Sequence, residues 1–321
     1  MGLEESTILN DSYLLGSALN ENPGMIISNS ISAGPLYVFF YGLLTFLFNS
    51  SVLVSVVVST ILVFIQALIF NSTLQRNAAF EENTYLPGIL YALILSSNQE
   101  FLFLSPALMA NTFLLLAMDK ILVHLKFRGS EENILTTGFL LGLGALCYAP
   151  YFIFLIFAII IYVIYSGTLV RRYFLMTYGF VFSFLIFWIY YLYFGQGGAF
   201  LGDYFSDLFQ INEMDSGVIN DLLLIFGLPL FLSVLSGAQS FQGVGLINHQ
   251  ILIQRMMLWM LIFAFVIFRL DNQLTLLTAQ TIIIPLTFFS TQFLLTRGKR
   301  WVAEIVFFLL VVSSITFLFI P

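Results

Sequence analysis

Long apolar runs recur along the whole of this chain and leave it few ways to fold. Runs separated by charges, glycine and proline lie near residues 51–71, 85–104, 105–124, 134–149, 150–166, 173–194, 218–236, 250–268, 273–294 and 301–320. A helix needs about 20 apolar residues to cross the roughly 30 Å core of a bilayer. Only 9% of the 321 residues are charged, against about 25% in an ordinary soluble domain. We therefore expect an all-α, polytopic transmembrane helix bundle of about ten spans.

Polar residues and prolines indicate where neighbouring runs are separated. Asn98, Gln99 and Glu100 interrupt one long apolar region, and Ser105-Pro106 has the pattern of an N-cap followed by proline at the first helical position. We predict a turn at 98–105. Pro150 likewise predicts a turn between two short helices, and the small-xxx-small pattern GFLLG at 138–142 predicts close helix packing.

The basic residues indicate an orientation. When the predicted spans alternate across the bilayer, ten of the eleven basic residues fall on or near one side, which the positive-inside rule assigns to the cytoplasm. Arg269 falls on the other side. The ten are Arg76, Lys120, Lys126, Arg128, Arg171, Arg172, Arg255, Arg297, Lys299 and Arg300.

Two acidic segments fall on the predicted external side. Residues 1–50 contain Glu4, Glu5, Asp11 and Glu21 and no basic residue, and residues 195–221 contain five acids and no basic residue. We expect two regions, an external acidic loop with a juxtamembrane helix at 1–50 and a single membrane domain at 51–321. Either the first span inserts as a reverse anchor, or an earlier span precedes this segment.

Residues 35–48 are apolar but shorter than an ordinary span. A run of this length is typical of a helix that lies in the membrane interface, and we predict that it lies on the outer leaflet. The alternative is a short span.

Ionisable residues inside membrane segments are the usual candidates for function. Here most of them are within a turn or two of a predicted helix end, where their side chains can reach the interface. One cysteine and two histidines far apart in sequence show no metal-site spacing, and a nucleic-acid partner is not expected. The candidates are Glu100, Asp119, Lys120, His124, Arg255 and Glu304.

Carboxylates at the water–lipid boundary can act as a general base or bind a divalent cation. Asp11 precedes the juxtamembrane helix, and Asp203 and Asp207 are in the second acidic segment. If the two segments meet, these acids would share one external site.

Two short motifs resemble a known family. Asp11-Ser12-Tyr13, followed by Gly34-Pro35-Leu36-Tyr37 and an apolar run, resembles the first external loop and juxtamembrane helix of the GT-C glycosyltransferases. Residues 10–195 are loosely similar to these enzymes, and a family of multi-pass Bacteroidetes proteins is more similar still.

The resemblance implies a protein of a bacterial inner membrane that transfers a sugar from a polyprenyl-phosphate donor to an acceptor at the external face, with inversion. It implies that Asp11 is the catalytic base. We further expect Tyr13, Tyr37, Glu100, Asp203 and Asp207 to contact substrate. A divalent cation would be the only cofactor. Ser12 occupies the position of the second acid of the family motif.

The alternative is a protein without catalytic activity, either an assembly partner of another membrane protein or a transporter of lipids or small solutes. The scarcity of embedded charges disfavours ion-coupled transport.

Overall fold

The computed structural model describes residues 33–48, 52–127, 131–167, 170–195, 204, 216–240, 248–270, 276–296 and 300–318. Within these ranges the chain is helical and has no strand, only an isolated bridge between Ala33 and Tyr148. Three 3-10 helices interrupt the α-helices, at Glu100–Leu102, Ala149–Phe152 and Leu276–Ile282. The α-helices are α1 Pro35–Phe48, α2 Val52–Arg76, α3 Leu86–Leu95, α4 Pro106–Phe127, α5 Glu131–Cys147, α6 Ile153–Ser166, α7 Val170–Tyr193, α8 Ser216–Ser240, α9 Asn248–Leu270, α10 Ile283–Thr296 and α11 Arg300–Leu318.

Among the described residues, five helical segments are long and apolar enough to cross a bilayer, so the all-α, multi-pass membrane architecture is confirmed. They are Leu53–Arg76, Pro106–Phe127, Val170–Tyr193, Asn248–Leu270 and Leu277–Thr296. The remaining predicted spans correspond to helices outside this set, and the count of about ten stays a prediction.

The predicted span at 85–104 is not one helix, because α3 ends at Leu95. The hydroxyls of Ser96 and Ser97 donate to carbonyls one turn earlier in the chain, and Asn98 Oδ1 accepts the N–H of Glu100 at 2.7 Å. Such local side-chain bonds compete with helix continuation. The turn predicted at 98–105 is present and begins a little earlier than expected.

The start of α4 follows the predicted capping pattern. Ser105 Oγ accepts the N–H of Leu108 at 3.0 Å, which satisfies one of the unpaired donors of the first helical turn. Pro106 is the first helical residue. At Pro150 the chain breaks as predicted into α5 and α6, joined by the 3-10 helix Ala149–Phe152.

Small residues bring α5 and α7 into close contact. A Cβ at Gly138 would overlap the carbonyl oxygen of Met176, and one at Gly142 would overlap the Ser183 hydroxyl. Gly179 on α7 meets the backbone of Leu135 in the same way. The predicted packing role of the GFLLG pattern is therefore confirmed. Glu131 pairs with Arg171 at the start of the two helices and Gly142 meets Ser183 further along them, so α5 and α7 are parallel.

The described helices run between two ends of the bundle. The α1 end contains α1, the turn at 96–105 and the 3-10 helix Ala149–Phe152. Tyr37 of α1 bonds Leu104 in the turn, and α1 packs against α5, which leads directly into the 3-10 helix. The basic end contains Arg76, which pairs with Asp119 near the end of α4, and Lys126, which donates to the Arg76 carbonyl. Helix α9 begins beside Asn77 at the basic end and finishes with Arg269 toward the other end.

The centre of the bundle is formed by the segment Leu277–Thr296. The most apolar stretch of this segment is 94% buried inside the protein. The corresponding stretch of Leu53–Arg76 is only 22% buried, so that helix faces outward. Helix α10 packs against α3, α8, α9 and α11, and the 3-10 helix before it packs against α4. The hydroxyls of Thr287 and Thr291 bond carbonyls four residues earlier, so these two buried groups need no partner on another helix.

Candidate functional site

The first acidic segment joins the bundle at the last turn of α5. The N–H of Gly34 donates to the carbonyl of Cys147 at 2.8 Å, and Ala33 forms its bridge with Tyr148. A side chain at position 34 would overlap the Leu146 carbonyl, so only glycine allows this approach. The position at which the acidic segment reaches the bundle is thus set by backbone contacts.

Tyr37 ties the first turn of α1 to the start of α4. Its buried hydroxyl donates to the Leu104 carbonyl at 3.0 Å, and its ring stacks on Tyr41 with 5.8 Å between ring centroids. The hydroxyl therefore holds α1 in place. A direct contact between Tyr37 and substrate stays a prediction.

The second acidic segment returns to the same helix end through Tyr204. The Tyr204 hydroxyl donates to the Ala145 carbonyl at 2.6 Å, and its ring packs edge-on against Phe184 of α7. Burial raises the pKa of the Tyr204 phenol well above its ordinary value, so this group is a neutral donor. Gly34 and Tyr204 thus both bond carbonyls in the last turn of α5.

The predicted site residues are only partly within the described ranges. Asp11, Tyr13, Asp203 and Asp207 lie outside them. Glu100 begins the 3-10 helix at Glu100–Leu102 and is half-buried. It lies four residues before Leu104, the residue that accepts the Tyr37 hydrogen bond, so Tyr37 and Glu100 belong to the same end of the bundle.

A buried polar layer lies beneath this end, between α4 and the 3-10 helix Leu276–Ile282. The Ser105 hydroxyl donates to Gln280 Oε1 at 2.6 Å, and Asn111 Nδ2 donates to the Gln280 carbonyl at 3.3 Å. Tyr151 completes the layer: its hydroxyl donates to Asn111 Oδ1 at 2.5 Å and lies 2.9 Å from Thr281 Oγ1.

The same turns of α4 are bonded on their other side by α2 and α3. Gln66 Nε2 donates to the Leu108 carbonyl at 2.6 Å and to Thr112 Oγ1 at 2.8 Å, and the Tyr91 hydroxyl donates to Gln66 Oε1 at 2.8 Å. Hydrogen bonds between buried polar groups fix the relative positions of the elements that carry them. The polar layer therefore supports the α1 end with neutral side chains.

Sequence reasoning missed most of the polar layer. It identified Ser105 as a cap, but Gln66, Asn111 and Gln280 stand in apolar runs where a single amide signals a buried partner. The sequence therefore indicates that these amides have buried partners, but it does not indicate which residues the partners are.

The candidate ionisable residues do not form one cluster. Asp119 is buried and paired with Arg76, while His124 is buried and packs edge-on against Tyr162. Arg255 and Glu304 are exposed on α9 and α11. In the described part of the chain no group of three His, Cys, Asp or Glu side chains could hold a metal ion.

No family model, no curated protein and no solved structure matches this chain.

Proposed function

We propose that helices α2 to α11 each cross the membrane and that the α1 end faces the external side. The alternation of the described helices between the two ends supports the count, and the position of Arg76, Lys126 and Arg171 at the opposite end supports the orientation.

We propose that α1 lies in the outer interface. Tyr37 at its start and Ser55 in the first turn of α2 both bond Leu104, at 3.0 and 3.1 Å. The beginning of α1 and the beginning of α2 are therefore at one level. Helix α1 exposes Phe39, Phe46 and other large apolar side chains, as expected for a helix with one face in lipid.

We infer that the protein is a GT-C-like glycosyltransferase that uses a lipid-linked sugar at this external face, in assembly of an envelope glycan. The observation that carries the proposal is that the two acidic segments are both tied to the last turn of α5, by Gly34 and by Tyr204. Convergence at the lipid boundary supports a shared site at which carboxylates meet a membrane-borne substrate.

In this proposal Asp11 is the general base that removes a proton from the acceptor hydroxyl as the sugar is transferred. Tyr37 acts as a positioning residue, because it ties α1 to the turn at 96–105. Tyr13, Glu100, Asp203 and Asp207 would contact the donor, the acceptor or a divalent cation bound by the acids.

The test measures product formation in membranes supplied with a labelled polyprenyl-linked sugar. A general base contributes roughly 100-fold or more to rate, so Asp11→Asn should lower the rate by about that factor. The matched control is Glu304→Gln, which removes an exposed carboxylate from the start of α11. This variant should retain the wild-type rate. If Asp11→Asn keeps full activity while the unmodified protein forms product, Asp11 is not the base. If no labelled polyprenyl donor yields product, the proposed reaction is wrong.

A second candidate, transport of a small neutral solute, is favoured by the polar layer. Interrupted helices lined with polar groups are typical of transporter binding sites, and the layer joins two 3-10 helices with neutral hydroxyl and amide groups. Solute uptake into proteoliposomes that Tyr151→Phe abolishes would favour this function over sugar transfer.

A further inference from the structure

Helix α7 finishes at the α1 end in a cluster of exposed aromatic side chains. This aromatic cluster consists of Phe39 of α1, Tyr190 and Tyr193 in the last turn of α7, and Phe194 directly after it. The Tyr190 ring meets the Phe39 ring edge-on, with 5.9 Å between centroids, and lies 5.0 Å from the Phe194 ring. The Tyr193 ring lies 5.4 Å from that of Phe194. The cluster therefore joins α1 to α7 through one continuous aromatic surface.

The outward face of α7 leads from a cation to this cluster. Arg171, Phe182 and Tyr193 are exposed and follow one another at intervals of eleven residues, about three turns, so they share one face of the helix. At 1.5 Å per residue, Arg171 and Tyr193 are about 33 Å apart along the helix axis. The apolar core of a bilayer is about 30 Å thick. If Arg171 lies at one boundary of the core, Tyr193 lies at the other.

The side chains of the cluster suit that boundary. A tyrosine presents an apolar ring and a single polar hydroxyl, which fits a level that is apolar on one side and wet on the other. Residues 173–202 contain no charged side chain, so no charge fixes this end of α7. The exposed residues that precede the cluster on the same face, Phe182, Ile186 and Ile189, have no polar group and fit the acyl chains.

We propose that the aromatic cluster lies at the headgroup boundary of the leaflet at the α1 end and anchors α7 in the bilayer at that depth. The rings contact the upper part of the acyl chains, and the hydroxyls of Tyr190 and Tyr193 bond to lipid ester groups or water. Because Phe39 contacts Tyr190, the same anchor sets the level of α1. This surface rests on the proposed crossing of α7 and is independent of the sugar-transfer reaction.

The test measures the depth of single tryptophans by quenching with brominated lipids. The three native residues Trp188, Trp259 and Trp301 are replaced by phenylalanine, and either Tyr193→Trp or Phe182→Trp is introduced. Each protein is reconstituted in vesicles of phosphatidylcholine brominated either near the head group or near the chain ends. We expect the ratio of shallow to deep quenching to exceed one for Tyr193→Trp. The matched control Phe182→Trp, about 16 Å further along the same face, should give a ratio below one.

A second measurement leaves the cluster unchanged. Native Trp188, kept as the single tryptophan, is five residues before Tyr193 and should give a ratio between those of the two variants. Stronger quenching of Tyr193→Trp by the deep bromines, or a Trp188 ratio no higher than that of Phe182→Trp, would overturn the proposal.

Two further outcomes would also overturn it and say why. If Tyr193→Trp is quenched by neither lipid and its emission shifts when a soluble oligosaccharide is added, the cluster binds sugar and is not a lipid anchor. If Phe182→Trp is unquenched as well, α7 does not cross the bilayer, and the anchor is wrong because the crossing is wrong.

Discussion

At the scale of single residues, the side chains that matter most are neutral. The buried hydroxyls of Tyr37, Tyr151 and Tyr204 each donate a hydrogen bond to an element distant in sequence. In a membrane the alternative to such a bond is an unsatisfied polar group in hydrocarbon. These tyrosines therefore fix positions that apolar packing alone would leave free to slide.

Tyr151→Phe should destabilise the folded protein by about 1–3 kcal/mol, because it leaves Asn111 Oδ1 buried without its donor. The ring contacts of Tyr151 with Tyr148 and Phe154 are kept. Denaturant unfolding in detergent measures the change. Tyr178→Phe, which removes a hydroxyl from a side chain 62% exposed on α7, should change the free energy of unfolding by much less; equal losses in the two variants would contradict the role given to the polar layer.

Arg76→Gln should also destabilise the protein, because it leaves the buried Asp119 carboxylate without its partner. The side chain of Arg76 is 60% exposed, so screening by solvent limits the loss to about 1–2 kcal/mol. The double variant Arg76→Gln with Asp119→Asn should recover most of it in the same unfolding assay. A double variant no more stable than Arg76→Gln would show that the pair is not the cause.

At the scale of elements, helix contacts depend on where side chains are absent. Gly142→Ala should force α5 and α7 apart, since the added methyl would overlap Ser183; overpacking of this kind costs about 1–3 kcal/mol. Gly227→Ala on α8 adds the same methyl where no atom lies within 4 Å and should be neutral or slightly stabilising. Unfolding temperatures of the two variants give the comparison, and a stable Gly142→Ala protein would argue against close packing of these helices.

Local features of the elements could be read from the sequence, and long-range pairings could not. The bounds of α1, the cap at Ser105 and the break at Pro150 depend on residues next to one another in the chain. The bond from Ser105 to Gln280 joins residues 175 positions apart, and no local pattern specifies which amide among several meets that hydroxyl. Asp119 could be identified as a candidate from its position inside an apolar run. That Arg76 is its partner could not be predicted.

At the scale of the whole molecule, the proposed ten crossings give a direct test of orientation. Cys147 is the single cysteine and is buried, so Cys147→Ala gives a background for new cysteines. In intact cells, a membrane-impermeant thiol reagent should label Ser96→Cys, exposed in the turn after α3, and leave Glu132→Cys, exposed at the start of α5, unlabelled until the membrane is opened. The reverse pattern would invert the proposed orientation, and labelling of both in intact cells would refute the crossing between them.

The polar layer also has a consequence for the time course of synthesis. Ser105 emerges 175 residues before Gln280, and at roughly 5–20 residues per second that interval is about 10–35 s. The interval between synthesis of Tyr37 and synthesis of its acceptor Leu104 is shorter, because they are 67 residues apart. Until the 3-10 helix Leu276–Ile282 is made, the first turns of α4 carry polar groups whose final partners do not yet exist. The nascent chain must therefore be held, by water or by the insertion machinery, in a form that the finished protein no longer shows.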